Sequence, residues 1–175
     1  IIGFANLLSS DQINDNQRKD FIQYIQSSGQ ILLNLIDDII DIAKIEAGKI
    51  KIKTAECNPN QIINELEKTF TGYKASLGKD NIHLRSNLPS DEIVFMTDIF
   101  RLRQILSNLM SNAVKFTEKG TVAINLKVKN NRLLEFSVED TGVGLSKEEL
   151  NSIFSRFKRT SQSEEKNIAG TGLGL

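Results

Sequence analysis

From Gln17 to Ala47 the chain carries an unbroken helical pattern of apolar residues. Ile25, Ser28, Leu32, Leu35, Ile39 and Ile42 follow one another at alternating steps of three and four residues, which makes a heptad seam. Ile22, Ile36, Ile40 and Ala43 widen that seam beyond the stripe of a two-stranded coil. At about 1.5 Å per residue the helix is a rod of about 45 Å. So wide an apolar stripe is buried only against several partners, as in a four-helix bundle. The stretch "IIGFANLL", Ile1 to Leu8, reads as the last turns of another helix, set off by the polar turn "SSDQINDN". One hairpin supplies two helices, so the other pair is expected from a second copy of the chain. Gly48 stops the rod.

Past Gly48 the period changes. "IKIK", residues 50–53, signals a short strand, and residues 59–76 a helix that starts near Asn58 or Asn60. Ile82 and Leu84 alternate with His83 and Arg85, and "EIVFM" follows as another strand. Asp98 caps a helix that runs to Phe116. Val122, Ile124, Leu126 and Val128 alternate with polar residues, as do Leu134, Phe136 and Val138. For both rows to share a face, 128 must oppose 134 and 126 must oppose 136. Asn130, Asn131 and Arg132 then form a three-residue turn in which Asn takes positive φ. The second half therefore reads as α/β, an antiparallel sheet with helices on one face.

Length and composition exclude several classes. With 175 residues the chain is one domain, or a small domain with an appendage. Lys+Arg and Asp+Glu balance at 22 each, against a nucleic-acid partner. Cys57 stands alone, so neither an internal disulfide nor a cysteine zinc site can form, and a reducing compartment is expected. No apolar run approaches ~18 residues, so no membrane contact is expected from this stretch. The start lacks a charged n-region and is no signal peptide. The chain reads as an excerpt that opens in mid-helix and closes in mid-motif.

Three places carry chemistry. On the helix 98–116, Leu102, Ile105, Leu109, Ala113 and Phe116 make an apolar face at ~100° per residue. Asn108, Asn112 and Lys115 make a second stripe about a quarter-turn away. A carboxamide oxygen is a hard ligand suited to Mg²⁺, and a lysine can meet phosphate. Taken alone, the stripe reads first as a solvated helix face, where such residues are common. In "VEDTGVGL", Asp140 continues the row Leu134, Phe136, Val138, so the hairpin aims a carboxylate at the apolar interior. Gly142 and Gly144 let backbone approach closely there. Such a carboxylate can accept from an amino group such as that of adenine, although D-x-G is also an ordinary turn. Last comes "GTGLGL", Gly170 to Leu175. It is neither a P-loop nor a dinucleotide fingerprint, but the N–H groups of successive glycines can make an anion nest. The polar "KRTSQSEEKN" before it would be a lid.

In this order the motifs resemble those of the sensor histidine kinases of two-component signalling, with the ATPase fold shared by gyrase B and Hsp90. "LLNLIDDIIDIAKIEAGKI" is similar to the second helix of their dimerisation hairpin, and "RLRQILSNLMSNAVKFTEKG" to their N box. "DTGVGL", "IFSRF" and "GTGLGL" resemble the G1, F and G2 boxes. The resemblance covers nearly the whole chain, and its wording is that of kinases that often carry receiver domains.

The resemblance implies an α+β chain. Residues 1–50 would be a dimerisation hairpin lacking its phosphoacceptor segment. Residues 51–175 would be a two-layer ATP-binding domain lacking its last elements. It implies ATP and Mg²⁺ as cofactors, with Asn112 on the metal and Asn108 helping to hold it. Lys115 would meet phosphate, and Asp140 would accept from adenine beside Gly142 and Gly144. Phe154 and Phe157 would anchor the lid, and Arg159 would approach the γ-phosphate. Gly170, Thr171, Gly172, Leu173 and Gly174 would cradle phosphates. Relatives that hydrolyse ATP carry a glutamate base at the position of Asn108, and an amide cannot take that proton. The acceptor histidine would lie just upstream of Ile1. His83, in a short strand of the catalytic half, is expected to be an ordinary strand histidine. Asp37, Asp38, Asp41 and Glu46 read as a solvated exterior of the long helix, or as part of a surface that docks a response regulator. The expected partners are a second copy through the hairpin and the receiver domain of that regulator. The expected location is the cytoplasmic part of a membrane-bound sensor. Competing readings are an ATPase of the same superfamily and a non-catalytic dimerisation scaffold.

Overall fold

A computed structural model describes residues 1–9, 13–130, 133–151 and 153. It divides into a helical unit, Ile1–Lys51, and a second unit that begins at Ile52.

The helical unit holds α1, Ile2–Leu8, and α2, Asp15–Glu46. Helix α2 begins two residues before the apolar pattern because a capping box starts it. The Asn14 side chain accepts from the Gln17 N–H, and the Gln17 side chain accepts from the Asn14 N–H. At the other end Ala47 caps and Gly48 turns. Phe4 of α1 stacks on Tyr24 at 4.9 Å and meets Phe21 at 5.4 Å. No residue of either helix is buried, and Ile39 of the seam is 51% exposed. A single chain leaves this stripe uncovered, as its width requires. Partial burial first, then the neighbouring carboxylates of Asp41 and Asp37, push the Asp38 carboxyl above the usual carboxylate range.

The second unit runs β1 (Ala55–Cys57), α3 (Pro59–Ser76), β2 (Ile82–Asn87), β3 (Phe95–Thr97), α4 (Ile99–Phe116), β4 (Gly120–Lys129), β5 (Leu133–Asp140) and α5 (Lys147–Leu150). Asn58 caps α3, with Pro59 in its first turn, and Asp98 caps α4 by accepting from the Arg101 N–H. Strands β2, β4 and β5 form one sheet in the order β2-β4-β5, and β1 pairs with β3 in a separate ribbon. The hairpin register is the expected one: Val128 opposes Leu134, Leu126 opposes Phe136, and Asn130 takes φ 52. Ile62, Ile63, Leu66 and Phe70 of α3 and Leu106, Met110 and Val114 of α4 share one core with Val122, Ile124 and Leu126. On the opposite face the buried Asn125 is satisfied by Asn87, Ser137 and Glu139.

Three expectations are corrected. The sheet is mixed, not antiparallel, because β2 lies parallel to β4. The connection between them contains α4, long enough for the crossover that parallel pairing needs. "IKIK" is not a strand. The Lys53 N–H donates to Asp98 Oδ2, and regular pairing starts only at Ala55. Those main-chain donors hold the Asp98 carboxyl below the usual carboxylate range. Lastly, α4 is turned about its axis from the expected face. Leu106, Met110, Ala113 and Val114 are buried, whereas Ile105 is 57% exposed. The helix carries apolar residues around more than half its circumference, so period alone does not choose between two overlapping faces.

Candidate functional site

That rotation sets the site. With Leu106 and Met110 in the core, the stripe Asn108, Asn112, Lys115 lies at the margin of the packed layer. All three are half-buried. Among the described residues neither carboxamide takes a hydrogen bond, and the Lys115 ammonium has neither a hydrogen bond nor an ion pair. Burial alone pushes the Lys115 ammonium below the usual lysine range.

The second wall comes from the end of β5. Asp140 opposes Val122 and continues the inward row, as its spacing requires. It is nevertheless exposed, which corrects the expectation of a carboxylate in the apolar interior. The row passes beyond the side chains that cover it, so the carboxylate stands at the rim. Its Oδ1 accepts from the Gly142 N–H at 2.8 Å. Thr141 clamps the motif to β4: its N–H donates to the Thr121 oxygen at 3.1 Å, and its Oγ1 accepts from the Thr121 N–H at 2.9 Å. Gly142 lies against the end of α4, where a Cβ would stand 2.6 Å from the Phe116 oxygen and 2.7 Å from Asp140 Oδ1. Gly144 takes φ 69, the left-handed region that favours glycine.

Gly142, more than 25 residues along the chain from Lys115, therefore meets the helix end that Lys115 occupies, and Asp140 is bonded to Gly142. Gly144 lies two residues further on. The expected residues Phe154, Phe157, Arg159, Gly170, Thr171, Gly172, Leu173 and Gly174 lie outside the described residues. His83 is exposed on β2, in agreement with an ordinary strand histidine. Two residues escaped the sequence reading. Thr141 stands at the unspecified position of D-x-G, which gives it no signal of its own. Lys79 caps the end of α4 from a distant turn, which no local pattern announces.

The donor set suits a metal held mainly by a ligand. Two neutral, hard oxygens one turn apart leave most of an octahedron to phosphate and water, as Mg²⁺ prefers. No group of three or more His, Cys, Asp or Glu among the described residues could cage a metal. Also among the described residues, no helix is long and apolar enough to cross a membrane.

Comparison with known proteins bears on the family. Residues 97–175 match the family of histidine kinase-, DNA gyrase B- and HSP90-like ATPases, and residues 1–48 match the His Kinase A (phospho-acceptor) domain. The circadian input-output histidine kinase CikA of Synechococcus elongatus is 39% identical over the whole of this chain, which covers 23% of that protein. Histidine kinase 5 of Arabidopsis thaliana is 32% identical over the whole chain, which covers 21% of it. The chain thus spans less than a quarter of the length of these relatives. Among solved structures, full-length ShkA in complex with AMPPNP matches with a TM-score of 0.76 and 29% identity, over 99% of this chain and 35% of that one.

Proposed function

The chain belongs to the histidine kinase family, and we propose that it serves as the kinase core of a longer sensor protein. In this reading residues 1–50 are a dimerisation hairpin, and the chain from residue 51 binds Mg-ATP. The γ-phosphoryl group passes to a histidine of the phosphoacceptor motif and then to an aspartate on the receiver domain of a response regulator. The whole acts in the cytoplasmic part of a sensor that is anchored elsewhere in its sequence.

The observation that carries this reading is that the second motif closes on the helix that bears the first: Asn108, Asn112 and Lys115 lie along α4, and Gly142, bonded to Asp140, packs against Phe116 at its end. Asp140 accepts from the amino group of adenine through its rim-exposed carboxylate. Gly144 leaves open space beside the base, and Gly142 lets the motif close on α4. Asn112 would hold Mg²⁺ through its amide oxygen with Asn108 beside it; the ion, when bound, neutralises charge on the phosphates. Lys115 meets phosphate from a half-buried position, where its charge is less screened than in water. Asn108 has no proton-accepting form, so the α4 stripe offers no base to activate water, which favours transfer to a protein group over hydrolysis. Arg159 and the glycines from Gly170 to Gly174, with Thr171 and Leu173, complete the phosphate end.

The test is incubation of the full-length protein with γ-labelled Mg-ATP. The expected product is a protein-bound phosphate that acid removes and alkali spares, as a phosphohistidine behaves. Release of inorganic phosphate with no labelled protein would overturn the kinase reading in favour of an ATPase.

A further inference from the structure

The turn that ends α3 also holds the corner between α4 and β4. Gly78 takes φ 67, and the Lys79 N–H returns to the Lys74 oxygen at 3.0 Å. Lys79 is thereby set against the far end of α4. Its ammonium donates to the main-chain oxygens of Val114 at 3.1 Å, Lys115 at 2.6 Å and Thr117 at 2.9 Å. The Gly120 N–H ties the same corner to the Asn81 oxygen at 3.1 Å. The Lys79 side chain is only 15% exposed. Its ion pair with Glu118, at 3.6 Å and largely exposed on the glutamate side, adds little.

The last carbonyls of a helix have no partner within it. A lysine in the last turn is drawn to those oxygens and to the negative end of the helix dipole. Lys115 is the basic residue of that turn in α4. Yet among the described residues its ammonium takes no such bond, and the oxygens of Val114, Lys115 and Thr117 at that end are held by Lys79. We propose that Lys79 is a positioning residue for phosphate binding. By capping α4 from outside the helix, it keeps the Lys115 ammonium available to a ligand's phosphates. This inference rests on the reading of the α4 stripe as a nucleotide site.

The experiment titrates the full-length protein with adenosine, ADP and ATP in the presence of Mg²⁺. Wild type is compared with Lys79→Met, Lys79→Arg, Lys115→Met and the Lys79→Met/Lys115→Met double variant. Wild type is expected to bind more tightly as phosphates are added. Lys79→Met should lose about tenfold for ATP, less for ADP and none for adenosine, and Lys79→Arg should restore most of the loss. In the Lys115→Met background the Lys79→Met change should cost no further preference for ATP. Should Lys79→Met fail to fold, Lys79→Gln, whose shorter amide has two N–H groups for the three oxygens, carries the same comparison as a partial loss of the cap. An equal loss for all three ligands, or an undiminished loss without Lys115, overturns the proposal and leaves Lys79 a structural cap. A wild type that binds ATP no better than adenosine overturns the nucleotide reading itself, and that failure is visible before any variant is made.

Discussion

A side chain at Gly142 would stand 2.6 Å from the main-chain oxygen of Phe116, so the end of the β5 hairpin reaches the end of α4 only through glycine. The contact is with backbone, which cannot swing aside as a side-chain tip can. Gly142→Ala must push the motif off the helix or bend the turn that Asp140 closes. Overpacking of this kind costs about 1–3 kcal/mol. We expect that loss in chemical denaturation, with a drop of at least about tenfold in ATP affinity because Asp140 moves with the turn. An affinity equal to wild type would place the nucleotide away from Gly142.

The rotation of α4 gives a direct comparison between neighbours. Leu106 is 1% exposed and Ile105 is 57% exposed. Leu106→Ala should cost about 2–5 kcal/mol by opening a cavity between α4 and the sheet. Ile105→Ala should change stability by no more than about 0.5 kcal/mol. Urea denaturation of the two variants decides between the faces. The reverse order would restore the face suggested by Leu102, Ile105 and Leu109 alone.

That pair also shows where sequence was a sufficient guide. The capped start of α4 at Asp98, the hairpin register and the φ > 0 at Asn130 were all legible, because each rests on a local rule. The uncovered seam of α2 was legible too, since its width exceeds what one hairpin can bury. The parallel pairing of β2 was not, because strand direction depends on how α4 crosses the sheet. Nor was the burial of Asp140. Alternation fixes the side of the sheet on which a residue lies, but not how far the covering layer extends. Lys79 was beyond reach for a related reason: its partners are 35 to 38 residues away.

Lys115 predicts opposed effects on stability and binding. Burial lowers its folded value, so folding disfavours the charged form. The penalty is complete below the folded value and disappears as pH rises through it toward the usual lysine range, so stability rises with pH in that window. Lys115→Met removes the charge and should raise the melting temperature of the ligand-free protein at neutral pH. It should also flatten the alkaline part of the profile and weaken ATP binding. A lower melting temperature with unchanged ATP affinity would make Lys115 a structural residue.

The exposed seam of α2 makes a prediction for assembly. Ile36, Ile39 and Ile40 lie uncovered on the single chain. A charge placed among them, as in Ile39→Glu, would be desolvated in a bundle and has no partner there. Sedimentation of the full-length protein should show a shift from dimer toward monomer, with the sheet of the second unit unchanged by circular dichroism. A dimer of undiminished affinity would mean that subunits join through another surface.

If α4 and the end of β5 form one Mg-ATP site, the Mg²⁺-dependent nucleotide affinities of Asn112→Ala and Asp140→Ala must both differ from wild type. Asn112→Ala should bind ATP with little response to Mg²⁺. Asp140→Ala should lose the preference for ATP over GTP, because guanine carries an oxygen where adenine offers its amino group. If both variants keep the Mg²⁺ response, the base preference and the affinity of the wild type, these residues do not form the site.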